Sequence, residues 1–114
     1  MIHLKRVYED SSPRDGKRYL VERLWPRGVR KEAIVMDEWL KEAGPSDALR
    51  KWFSHDPAKW DKFKQKYFAE LDHRPESWAP IHKAARRGAV TLLYSSRDAE
   101  HNNALALKKY LDRK

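Results

Sequence analysis

A chain of 114 residues with a hydrophobic fraction of 40% and five Trp can bury one real core but is too short for two. Its net charge of +8 favours anionic partners such as nucleic acid, phosphorylated metabolites or acidic surfaces, although a plain solvated basic surface gives the same sum. It has no Cys, which excludes disulfides, thiolate catalysis and Cys-bound zinc or iron–sulfur clusters, and it has neither a membrane-length apolar run nor a signal-peptide core, so a cytoplasmic setting without a membrane partner is expected.

Met1 to Tyr8 alternates imperfectly, with Ile2 and Leu4 inward, and reads as a strand. Glu9 to Lys17 is a loop of Asp, Ser, Pro and Gly. Tyr19 to Trp25 reads as a second strand, with Leu20, Val21 and Leu24 apolar and Arg23 lodged within it. Trp25-Pro26-Arg27-Gly28 stops it, because Pro has no N–H for a ladder and Gly permits a turn. Arg30 to Gly44 admits two readings. Ile34, Val35, Trp39, Leu40 and Ala43 suit a helix, but one helical turn at Lys31 to Ile34 and a short strand at Val35 to Leu40 is preferred.

Ser46 is expected to cap a short helix from Asp47 to Phe53. Asp56 and Pro57 then form a cap and a first helical position, opening a helix to about Leu71 that buries Trp60, Phe63, Tyr67, Phe68 and Leu71. Ser77 is expected to cap the next helix, with Pro80 in its first turn and an end at Arg86-Arg87-Gly88. Val90 to Tyr94 is a continuous apolar run, which is how a strand covered on both faces reads. A dense polar loop follows, and Ala104, Leu105, Leu107 and Leu111 return at helical spacing. The expected fold is α/β: a single small three-layer domain over 1–114, its mostly parallel central sheet flanked by helices.

In an open α/β sheet, ligands sit outside the carboxyl ends of the strands, where helix N-termini present unpaired N–H groups. Two clusters follow apparent core strands. Arg23, Trp25, Arg27 and Gly28 offer guanidinium forks suited to phosphate or carboxylate, with Trp25 as a wall or stacking surface. A packed corner with both Arg in internal ion pairs fits the same residues. Ser95, Ser96, Arg97, Asp98, His101, Asn102 and Asn103 form the second cluster, which can equally be an Asx turn with incidental neighbours.

If both strands are parallel neighbours, the clusters share one sheet edge. The expected site is then a pocket for a small anionic, phosphate- or nucleotide-like ligand. Arg23, Arg27 and Arg97 would supply charge, and Ser95, Asn102 and Asn103 neutral donors. His101 oriented by Asp98 would be the only proton-transfer pair. His55 beside Asp56, in a helix–helix joint, admits a place facing the same cleft, but a helix cap with an incidental histidine is the preferred reading. His3, His55, His73, His82 and His101 show no zinc-motif spacing, and no metal is expected. The sequence specifies no cofactor and no oligomeric state. The alternative function is a nucleic-acid-binding or accessory module using Lys59, Lys62 and Lys66, which share a helix face.

The blocks KRVYE at Lys5 to Glu9, VERLWPRG at Val21 to Gly28, DEWLK at Asp37 to Lys41, LRKWFSHDP at Leu49 to Pro57 and VTLLYSSRDAEHNNA at Val90 to Ala104 together resemble the YeaO-like branch of the domain-of-unknown-function 488 family (DUF488). The resemblance covers nearly the whole chain with the blocks in order, and it implies a small cytoplasmic α/β domain without supplying an activity. Relatives in the wider family often carry a Cys at the end of the last strand and a Cys-His-Arg tripeptide opening the next helix. Those places hold Tyr94, and Asn102, Asn103 and Ala104, so no thiol, redox or metal chemistry carries over.

Overall fold

A computed structural model describes residues 1–114. Its strands are β1 (Ile2–Arg6), β2 (Lys17–Leu20), β3 (Glu38–Trp39) and β4 (Val90–Tyr94). Its α-helices are α1 (Asp47–Phe53), α2 (Trp60–His73), α3 (Pro75–Arg87) and α4 (Asn103–Leu111). The strands form one fully parallel sheet in the order β1-β4-β2-β3. The α/β class and the parallel sheet are thus as expected. The apolar run Val90 to Tyr94 is the central strand, buried along its whole length. Arg6 pairs with Tyr94 and Leu20 with both Leu93 and Trp39, so the four carboxyl ends finish along one edge.

The two faces are covered differently. Tyr19, Val90 and Leu92 pack in one cluster with residues of all four α-helices, among them Phe53, Tyr67, Ile81 and Leu107. On the other face, Leu20, Leu93 and Val7 meet Ile34, Val29 and Met36 from the β2–β3 connection, whose only helical element is a 3-10 turn at Lys31–Ala33, and Trp39 of β3. That face is also partly ionic. Asp15 and Arg18 are 4% and 5% exposed and pair with each other. Lys5 reaches Asp15 at 2.9 Å, and the Thr91 hydroxyl donates to the Asp15 carbonyl at 2.8 Å.

That cluster explains why the second strand is Lys17–Leu20 rather than Tyr19 to Trp25. Arg18 is an inward strand residue, which an apolar pattern does not reveal. At the other end, the Val21 carbonyl accepts from Asn103 Nδ2 at 2.7 Å instead of continuing a ladder. Arg23 therefore lies in a loop beyond the strand. The turn-then-strand reading of Lys31 to Leu40 agrees with the structure, but the strand shrinks to Glu38–Trp39. Val35 is exposed and its carbonyl accepts from Arg18 Nε, while the Asp37 carboxylate takes the Arg18 N–H at 2.8 Å.

Ser46 caps α1 as expected, its hydroxyl accepting from Leu49 N. Asp56 caps a 3-10 turn at Pro57–Lys59 that leads into α2. Ser77 does not cap α3: its hydroxyl donates back to the Arg74 carbonyl at 2.7 Å. The helix starts at Pro75, where the missing N–H is harmless, and Pro80 lies inside it beyond the first turn. No helix is long and apolar enough to cross a membrane.

Candidate functional site

The loops after β2 and β4 open a cleft of about 250 Å³. Glu22 to Arg27 form one wall; Ser95 and Ser96, with His101, Asn102 and Asn103 at the start of α4, form the opposite wall. Phe53 and Phe63, their ring centroids 4.3 Å apart, make an apolar floor. Arg50 and His55, from the end of α1, complete the lining.

Most of the donors anticipated for a ligand are already bonded within the protein. The Arg23 guanidinium donates to the Gly44 and Pro45 carbonyls at 3.2 and 3.3 Å and pairs with Glu42 at 3.0 Å. The turn it clasps needs a glycine, because a Cβ on Gly44 would stand 2.8 Å from the Arg23 backbone nitrogen. Trp25 donates its indole N–H to the Val29 carbonyl and rests edge-on against Trp39, at 5.3 Å between centroids. Asn102, 3% exposed, caps α4: its oxygen accepts from Leu105 N at 2.8 Å, and its amide donates to the Asp98 carbonyl at 2.9 Å. Asn103 spends its amide on Val21. Ser95 donates both its N–H and its hydroxyl to Glu22.

His101 and Asp98 do form a pair, with Nδ1 2.9 Å from Oδ2. Asp98 also accepts from the Glu100 and His101 N–H groups. The Glu100 N–H first, and then His101, hold its carboxyl below the usual range. Trp60 meets the His101 ring edge-on at 5.5 Å. Asp98 stands behind the histidine and does not line the cleft; Arg97 is exposed and also lies off its walls. Arg27 stands exposed at the cleft rim.

Two residues the sequence reading passed over are in the cleft. Arg50 has a buried Nε with no hydrogen-bond partner and only a long contact to Asp47, at 3.5 Å. Glu22 is partly buried, and that burial raises its carboxyl above the usual range, although the Ser95 donors and His55 pull it back. His55, for which the cleft was the less favoured of two readings, lines it as well. The available signals were small: a charged residue beside Arg23 where an apolar run ends, and an Arg one helical turn before Phe53. No group of three or more His, Asp or Glu side chains gathers as a metal would require.

Arg27 and Arg50 thus stand beside an apolar floor, and His101, whose Nδ1–H is committed to Asp98, can donate into the cleft from Nε2 only when its ring is protonated. The chain is 40% identical over 110 residues to the uncharacterized protein YeaO of Escherichia coli, covering 96% of each chain. It is 37% identical over 111 residues to the uncharacterized protein Rv3073c of Mycobacterium tuberculosis, covering 97% of this chain and 93% of that one. The uncharacterized protein Mb3100c of Mycobacterium bovis shows the same identity and coverage. No solved structure matches the chain. Residues 1–114 match the family model described as the inactive DUF488-N3 subclade, and the chain therefore belongs to the DUF488 family, in that subclade.

Proposed function

We propose that this protein is a binding domain for a small anionic ligand, phosphate- or nucleotide-like, held at the carboxyl ends of β2 and β4 without turnover. The observation that carries the reading is the cleft itself: about 250 Å³, with Arg27 at its rim and the Arg50 Nε buried and unpartnered beside it. At about 30 Å³ per water, the cleft has room for roughly eight waters, more than a simple inorganic anion fills. Arg27 and Arg50 hold the charge. Arg23 shapes the wall, being clasped by Glu42 and two carbonyls. His101, held through Nδ1 by Asp98, donates from Nε2 when its ring is protonated, while Asn103, its amide committed to Val21, and Trp25 are rigid wall. The description of the subclade as inactive supports binding without catalysis.

The nucleic-acid reading has less support. Lys59 and Lys66 lie over the Trp52 ring at 5.1 and 5.2 Å, and Lys59 also donates to the Trp52 carbonyl. Only Lys62 of that stripe stands without such a contact.

The test is a low-salt thermal-shift screen with phosphate, sulfate, nucleoside monophosphates and short oligonucleotides. It compares the wild type with Arg27→Ala, Arg50→Ala and, as a control off the cleft, Arg97→Ala. A ligand at one hundred times its Kd stabilises by about 2.7 kcal/mol, which a melt resolves. The expected result is a shift with a small anion that both cleft variants lose and Arg97→Ala keeps. A shift lost equally in all three variants, or seen only with oligonucleotides and abolished by salt, would sink the proposal.

A further inference from the structure

The cleft holds an acceptor that the protein does not fully use. A carboxylate offers about four lone-pair sites. Glu22 receives the Ser95 N–H and the single hydroxyl hydrogen of Ser95, and no other donor reaches it. About two acceptor positions remain open on a partly buried charge facing the cavity. No Lys or Arg lies within ion-pair distance of it, and the cationisable group acting on it is His55, itself exposed on the cleft lining. Buried carboxylates are ordinarily paired. On the same lining, Arg50 presents the opposite deficiency, a buried donor without an acceptor.

A bare anion would satisfy Arg50 and be repelled by Glu22. A metal ion on Glu22 lacks a full ligand set, since no group of three or more carboxylates and imidazoles gathers there. One molecule satisfies both if it carries an acidic group and a cationic donor.

We infer that the cleft selects a zwitterionic ligand, its acidic group held by Arg27 and Arg50 and its ammonium group by the Glu22 carboxylate. This rests on the anion-binding reading and adds the class of ligand. Glu22 is then the specificity residue, because it favours amino-bearing phosphates over otherwise matched plain anions, which still bind through the two guanidinium groups.

The experiment is isothermal titration of the full chain, at neutral pH and low salt, with two matched pairs. O-phosphoethanolamine is compared with propyl phosphate, in which a methyl replaces the ammonium, and 3-aminopropyl phosphate with butyl phosphate. At least one amino compound should bind about tenfold or more tighter than its alkyl partner, the ratio a charge-assisted hydrogen bond supports. Glu22→Gln keeps an oxygen for the Ser95 N–H and should bring that ratio near one without weakening the alkyl phosphates. Arg50→Ala should weaken all four. Ratios near one in the wild type, or a ratio unchanged in Glu22→Gln, overturn the inference and leave anion binding standing if the alkyl phosphates still bind through Arg50. Failure of every phosphate to bind overturns both.

Discussion

Tyr67 links the core to the cleft, and removing its hydroxyl tests that link. Tyr67 and Ala43 are both 0% exposed, and the phenol donates to the Ala43 carbonyl. Burial pushes this phenol above its ordinary value of 10.0, so it remains a donor throughout the folded range. In Tyr67→Phe the packing is kept but a buried carbonyl loses its only side-chain partner, a loss of about 1–3 kcal/mol. At about 2.1 cal/mol/K per residue, 114 residues give an unfolding entropy near ~240 cal/mol/K, so ~2 kcal/mol lowers Tm by about 8 °C. Tyr110→Phe is the internal comparison: its hydroxyl donates at 2.6 Å to Asp72, which is exposed and regains water, so its loss should be the smaller. The assay is calorimetry of both variants. The residue after Ala43 supplies a carbonyl to Arg23, so Tyr67→Phe should also weaken ligand binding at the cleft. A Tyr67→Phe shift below about 2 °C, or smaller than that of Tyr110→Phe, would refute the reasoning.

Gly16→Ala should be far more damaging than Gly28→Ala in the same melts. Both have positive φ, at 64° and 76°, but a Cβ at position 16 would stand 2.0 Å from the Ala89 carbonyl oxygen, whereas position 28 is open and carries only a backbone penalty of about 1–2 kcal/mol. Acid should expose Asp15. Burial alone would raise its carboxyl, but Lys5, the Ser12 N–H and Arg18 together hold it below its ordinary 3.8. Its stabilisation is then present above that value and lost as pH falls through the lower folded value, so a wild-type advantage over Asp15→Asn should shrink steadily in Tm measured from about pH 6 to about pH 2. Glu22 has the opposite sign: burial raises it above 4.5, so its charged form is disfavoured by folding. Glu22→Gln should melt no lower than wild type at neutral pH, with any gain vanishing in acid below the ordinary value; a lower neutral Tm would show that the carboxylate stabilises the fold.

What could be read in advance was local. Val90 to Tyr94 announces itself by being apolar without interruption, and Ser46 and Asp56 by standing just ahead of apolar spacing, so these elements were legible. The start of β2 was hidden because its inward residue is Arg18, neutralised by Asp15 in a pair that only the folded chain creates. Ser77 has the look of a cap, yet Pro75 had already begun the helix. The two halves of the cleft were legible as polar clusters after strands, because parallel strands bring such ends together. Their internal wiring was not. Glu22 finds Ser95 across 73 positions, and Asn103 finds Val21 across 82. Arg97 illustrates the limit: it belongs to the right loop, but loop residues next to one another face different ways, and this one faces water.

The positions at which the family resemblance implies Cys and Cys-His-Arg in many wider relatives hold residues that are structural in this chain. Tyr94 is 6% exposed and joins the main core cluster, and Ala104 is wholly buried there. Asn102 closes the first turn of α4 and ties it back to Asp98, while Asn103 ties the same turn across to β2. Each of these four residues serves packing or a satisfied hydrogen bond. The turn is thereby fixed against the end of β2, and the groups around it without internal partners are the Arg27 guanidinium, the Arg50 Nε and the open side of Glu22. A closed core would have covered these residues or paired them with one another. This chain keeps them around an open cavity of about 250 Å³, an arrangement that burial disfavours at Glu22 and leaves a buried guanidinium nitrogen unsatisfied at Arg50. A ligand of the proposed kind would complete both.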